Sequence, residues 1–144
     1  MLFQFCYASK TLSDPQSLLS DLRDILNEAH HFNYLNHIYG VLYFADGYFF
    51  QCLEGDQTTI MQLFEKIKKD RRHEQVYAFP ARNVEQGLFQ DWSMKFVRKN
   101  SAISIFFQQL GQESFNPYLL NKDSICAFIP LLAEIEMDQV MMWF

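Results

Sequence analysis

Apolar residues along the chain switch between two periods, and the switches mark out the elements. In residues 2–8, Phe3, Phe5 and Tyr7 alternate with Gln4 and Cys6, which predicts a strand with the aromatic rings on one face. Residues 9–15 form a turn. Asp14-Pro15, or Ser13 followed by Gln16, can open the next helix, and the two starts differ by one residue. Leu18, Leu22, Ile25, Leu26 and Ala29 form a helical stripe to about residue 31. Asn33 continues that stripe in steps of four and three, an amide where an apolar residue is expected. It could end the helix by satisfying its own last turn, or it could serve a ligand.

Residues 37–45 and 47–55 read as two strands joined by Asp46-Gly47, a pair suited to a tight hairpin turn. Asp56 caps a second helix with the core stripe Ile60, Leu63, Phe64 and Ile67, and Lys66, Lys68 and Lys69 read as its solvated face. Asp70, Arg71, Arg72 and His73 close it, with Arg72 and His73 able to meet its last carbonyls. Residues 76–84 predict a further strand and residues 89–97 a last one, with Trp92, Met94 and Phe96 on one face. Residues 102–110 and 124–136 predict two more helices, the second kinked or shortened by Pro130. The order defines an α+β, ferredoxin-like βαββαββ sheet with two helices on one face, followed by C-terminal helices.

The third strand carries the main anomaly. Alternation puts Gln51 on the same face as Phe49 and Leu53, so a primary amide points inward among apolar neighbours. Left unpartnered there it would cost about 1–3 kcal/mol, so a protein group or a ligand must bond it. In a split βαβ sheet the first and third strands are adjacent, which makes Tyr7 a cross-strand neighbour for Gln51.

Composition narrows the function classes. The 144 residues suffice for one core, and 17% aromatic content, with 15 Phe, suits tight packing or the enclosure of a flat ligand. A net charge of −5 argues against a nucleic-acid surface. The chain starts without a basic leader pattern and has no apolar run of about 18 residues, so no membrane span is expected. Cys6, Cys52 and Cys126 are scattered, as reduced thiols of a cytoplasmic protein are. His30, His31, His37 and His73 lack a recognised metal spacing and read as surface or capping residues.

Taken together, Cys6-Tyr7-Ala8-Ser9, residues 21–26 leading to Asn33, Gly40-Val41-Leu42, residues 47–55, Asp70-Arg71-Arg72-His73 and Asp91-Trp92-Ser93-Met94 resemble the BLUF family of blue-light sensors. They follow that family's order and spacing over residues 2–97, and the short bacterial members are the most similar. The resemblance implies a photoreceptor rather than an enzyme, with FAD as cofactor, although the sequence does not separate FAD from FMN. It implies Tyr7 as electron and proton donor, Gln51 as the bridge from Tyr7 to the flavin edge, and Asn33 at the opposite part of that edge. Ile25 would wall the ring, and Asp70, Arg72 and His73 would contribute from the second helix. Trp92 and Met94 would lie near Gln51 and relay the change, Met94 is also expected among the flavin-binding residues, and which of the two faces the flavin is open. Phe32 stands before Asn33 where some members have a polar residue, and Tyr39 before Gly40 where a threonine is frequent.

On this resemblance residues 1–97 form the flavin-binding photosensor and residues 98–144 a helical extension that packs on the sheet and relays the signal. The hydrophobic tail, residues 137–144, is expected to dock on the core or on a partner. The expected partner is another protein, such as a transcriptional regulator, with a homo-oligomer also open. The alternatives are a flavin-dependent oxidoreductase and a light-insensitive ligand-binding regulator.

Overall fold

A computed structural model describes residues 1–136, so the expectation for the tail at 137–144 lies outside the described residues. The elements are β1 (Leu2–Thr11), α1 (Leu18–Asn36), β2 (Tyr39–Ala45), β3 (Tyr48–Gly55), α2 (Gln57–Lys68), β4 (His73–Ala78), β5 (Arg82–Val84), β6 (Lys95–Arg98), α3 (Ser101–Gln109) and α4 (Lys122–Glu134). A short 3-10 turn, Pro117–Leu119, precedes α4. The strands form one sheet in the order β4-β1-β3-β2-β6, with β5 also paired to β1. This is the expected α+β ferredoxin-like arrangement.

The sheet has two buried faces. On one, Phe5, Tyr7, Phe49 and Leu53 pack against Leu22 and Leu26 of α1 and Ile60 and Phe64 of α2. On the other, Tyr43, Phe50 and Cys52 pack against Ile103 and Phe107 of α3 and Phe128 and Leu132 of α4. β3 runs through the middle, and every residue from Phe49 to Gly55 is buried. The Asp46-Gly47 turn has positive φ at both positions, 54° and 87°, the conformation that matches the twist of a two-residue hairpin. Asp46 then serves the second face: its carboxylate accepts from Phe115 N–H at 2.9 Å and pairs with Lys99 at 3.2 Å.

Three local expectations are corrected. α1 continues past residue 31 to Asn36 and stops where His37 adopts the left-handed conformation and donates its N–H to the Asn33 carbonyl. Its regular part begins at Leu18; Asp14 caps the preceding turn, accepting from Gln16 N–H and Ser17 N–H at 3.0 and 2.9 Å. The strand expected at 76–84 is two strands, because Pro80 lacks an N–H for the ladder and Phe79 turns into the second core. β4 starts at His73, earlier than expected, and pairs with β1 near Thr11, while β5 pairs near Leu2. The strand expected over 89–97 is confined to Lys95–Arg98, which joins the sheet parallel to β2. α4 spans Lys122–Glu134, close to the expected 124–136, with Pro130 inside it.

Candidate functional site

A cavity of about 500 Å³ opens between α1, α2 and the first face of the sheet. That is within the range that takes a small organic ligand, roughly 300–1,000 Å³. Its floor is the β1–β3–β2 ladder, where Gln51 sits opposite Tyr7 on one side and Leu42 on the other. Period-two alternation aims Tyr7, Gln51, Leu42 and Phe49 into this space. Ile25, Ala29, Phe32 and Asn33 bring the α1 side, and Leu63, Ile67, Asp70, Arg72 and His73 the α2 side. Of the residues singled out in the sequence, Tyr7, Ile25, Asn33, Gln51, Asp70, Arg72 and His73 therefore line one cavity.

Met94 does not line it but stands directly behind. It is fully buried, and the Gln51 amide Nε2 donates to its sulfur at 3.7 Å. Trp92 lies apart from the cavity. Its ring is half-buried beside a second hollow with Asn33, His37 and Tyr39, and the Lys95 ammonium stands 5.8 Å from the ring centroid. Met94 thus meets Gln51, whereas Trp92 lines the second hollow. The residue between them completes the link, since Asn33 Nδ2 donates to the Ser93 carbonyl at 2.7 Å.

Asn33 is the most informative side chain. It is 1% exposed, its Nδ2 is engaged, and its Oδ1 is a buried acceptor with no partner among the described residues. A buried acceptor in that state costs about 1–3 kcal/mol. The cost is removed by any ligand that presents an N–H there, so this atom is aimed at a donor. Flat apolar walls, an amide on the sheet floor and an orphaned acceptor on the helix fit the hydrogen-bonding edge of an isoalloxazine ring.

Burial pushes the Tyr7 phenol well above its ordinary value, and the Asp70 carboxylate raises it further. Tyr7 is therefore a neutral phenol at any physiological pH. Asp70 is itself held below the usual carboxylate range, chiefly by the Arg72 guanidinium that grips it. Arg72 also reaches Glu28 of α1 at 2.8 Å, so one guanidinium bridges the two helices that flank the cavity. His73 closes α2, with Nε2–H donating to the Ile67 carbonyl at 2.6 Å and Nδ1 accepting from the Ser9 hydroxyl at 2.7 Å. The capping role expected of His73 and its place on the cavity wall are both realised.

Lys66 and Lys69 are exposed, as a solvated helix face requires, and both also line the cavity beside α2, as Glu28 does beside α1. The signal was available. Lys66 follows Leu63 by three residues and precedes Asp70 by four, and Glu28 follows Ile25 by three, so each lies on a flank of its cavity-facing stripe.

Residues 2–95 match the family model described as sensors of blue light using FAD, and this chain belongs to the BLUF family. Among solved structures it is similar to BlsA in its photo-activated state, at 46% identity and a TM-score of 0.92, covering 96% of this chain and 99% of that one. The BlsA ground state matches with the same identity and TM-score, covering 96% and 92%. BlrB, a BLUF protein in its dark state, matches at 25% identity with a TM-score of 0.76 over 92% of this chain and 95% of that one. A bacterial light-regulated adenylyl cyclase matches at 28% identity, but this chain spans 34% of it. No curated protein sequence matches the chain. No helix among the described residues is long and apolar enough to cross a membrane.

Proposed function

We propose that this chain is a blue-light photoreceptor whose output is an altered contact with a partner protein. The observation that carries the proposal is the cross-strand pair Tyr7 and Gln51 on the floor of a cavity whose wall holds the orphaned Asn33 Oδ1. A bound flavin supplies absorption of blue light and, once excited, a strong transient oxidant. Tyr7, held neutral by burial, gives up an electron and its phenolic proton and takes both back, leaving no permanent charge in the core. Gln51 answers by rotating or tautomerising, so that it presents a donor where it presented an acceptor. Asn33 holds the flavin edge throughout, and Ile25 restrains the ring from α1.

Asp70, Arg72 and His73 fix the α2 side, and the cationic Lys66 and Lys69 suit the phosphate of a flavin nucleotide, with FAD the form the family description names. Exchanging one amide hydrogen bond is worth about 0.5–1.5 kcal/mol, whereas inverting a population from 1:99 to 99:1 needs about 5.5 kcal/mol. Output therefore requires coupled contacts, and Met94 against Gln51 and Ser93 against Asn33 are the nearest. From there the change passes through β6 and Trp92 to residues 98–144, which act as the relay beside the photosensor at 1–97. The Lys95 ammonium donating to the Ala133 carbonyl at 3.0 Å is a direct route into α4. A transcriptional regulator is the partner class proposed, in the cytoplasm, with a second copy of the chain as the other candidate.

The test is an absorption spectrum before and after blue light, repeated with Gln51→Leu. A flavin band that shifts slightly to the red, recovers in the dark and fails to shift in the variant is the expected result. A flavin that bleaches instead identifies an oxidoreductase, and a purified protein without flavin refutes the photoreceptor.

A further inference from the structure

On the face of β3 opposite the cavity, three residues beyond Gln51, stands a carboxylate that the photochemistry does not use. Glu54 is 0% exposed. Its Oε1 accepts from Leu88 N–H at 2.9 Å and Phe89 N–H at 3.0 Å, and its Oε2 from Gln4 Nε2 at 2.8 Å. Gln4 in turn accepts from Arg82 Nε at 2.7 Å, so a cation stands one amide away from the buried charge. Two successive backbone donors on one carboxylate make a strong, directional grip. The loop is shaped to meet it: a Cβ on Gly87 would lie 2.7 Å from Glu54 Oε1 and 2.9 Å from a Leu2 methyl.

What Glu54 grips is the start of the segment that carries Trp92, Ser93 and Met94. Phe89, fully buried, accepts from Trp92 N–H at 3.0 Å, and the Trp92 carbonyl accepts from Gly40 N–H at 3.3 Å. Ser93 and Met94 then reach Asn33 and Gln51. Glu54 and Gln51 thus hold the two ends of the same segment from two faces of one strand.

We propose that Glu54 is a positioning residue that sets the lifetime of the lit state by clamping residues 88–94. The inference rests on the photoreceptor reading above. Recovery requires Met94 and Ser93 to move against Gln51 and Asn33, and a segment held at its start by Glu54 moves less readily, so the clamp raises the barrier to recovery. Glu54 touches neither the cavity nor Tyr7, so it governs the rate of recovery and not the size of the spectral shift.

Glu54→Gln tests this with little change of shape. The new amide must turn a donor toward either the loop N–H groups or Gln4 Nε2, and Gln4 cannot flip without presenting its NH₂ to Arg82. Gln4→Glu combined with Glu54→Gln restores a consistent set, with Arg82 and the new amide both donating to the carboxylate at position 4. The expected result is an unchanged red shift, dark recovery about tenfold faster in Glu54→Gln, and recovery near wild type in the double variant. Tenfold is the rate equivalent of one hydrogen bond to a charged group. Gly87→Ala pushes the loop from the other side and should also speed recovery, which keeps the test available should Glu54→Gln fail to fold. A wild-type red shift with Glu54→Gln and Gly87→Ala recovering within twofold of wild type overturns the clamp alone. Absence of any red shift in the wild type overturns the photoreceptor reading and the clamp with it.

Discussion

Replacing Asn33 with alanine should have opposite consequences for the empty and the loaded protein. In the empty chain the substitution deletes a bond, Nδ2 to the Ser93 carbonyl at 2.7 Å, and also deletes an unsatisfied acceptor, Oδ1. The first loss costs about 1 kcal/mol and the second removes a penalty of about 1–3 kcal/mol. The side chain borders an existing cavity, so the shortened residue creates little new enclosed void. Stability of the empty protein should therefore stay within about 1 kcal/mol of wild type or rise. In the loaded protein Oδ1 is satisfied by the ligand, and its removal forfeits that bond. Flavin affinity should fall by about 1–2 kcal/mol, or roughly five- to thirtyfold. Flavin fluorescence titration measures the affinity, and thermal melts with and without flavin measure the two stabilities. Equal destabilisation of both forms with unchanged affinity would refute the reasoning, because Oδ1 would then be serving the protein and not the ligand.

Phe128→Ala should cost about 3–5 kcal/mol, since Phe128 is 0% exposed and its ring meets those of Tyr43, Phe50, Phe106, Phe107 and Phe115. The melting temperature should drop by about 10 °C while flavin still binds, because that cluster lies across the sheet from the cavity. Asp70 is held below its ordinary value of 3.8 by Arg72, so on acidification the unfolded chain takes up this proton first. Its contribution is complete above that value and is lost as pH falls through the lower folded one. Asp70→Asn should accordingly flatten the fall in melting temperature below about pH 4, and an unchanged acid limb would contradict the assignment. Gln51→Leu should bind flavin yet give no red shift, and Glu54→Gln should keep the shift while recovering faster in the dark.

The cavity floor was legible because a strand imposes a strict two-residue period. Once Gln51 is placed on β3 and Tyr7 on β1, antiparallel register brings them together, as Tyr7 opposite Gln51 confirms. Asn33 was legible for the same reason on a helix, from its place on the stripe with Leu22, Leu26 and Ala29. Trp92 misled because Trp92, Met94 and Phe96 alternate as strand residues do. Period alone does not say whether a ladder partner exists, and before Lys95 the backbone groups go elsewhere, the Trp92 carbonyl to Gly40 and the Ser93 carbonyl to a side chain. The parallel pairing of β6 with β2 depends on contacts some 54 positions apart, such as Val41 with Lys95, and no local pattern encodes it. The Glu54 network was hidden similarly. Alternation assigns Glu54 to the outer face, but only the folded loop at Gly87 shows why a carboxylate is buried there.

The cavity wall is encoded early in the chain and its supports late. Among the described residues, those lining the cavity fall between Tyr7 and His73, whereas the groups that brace Asn33 and Gln51 from behind are Ser93 and Met94. During synthesis at roughly 5–20 residues per second, the second part follows the first by about one to four seconds. A nascent chain thus has the walls of its chromophore site before it has the pieces that make Asn33 and Gln51 hold one orientation. Enclosure and locking are separate events in the life of the molecule, and a chain stalled between them would present a cavity that accepts a ligand without the means to answer light.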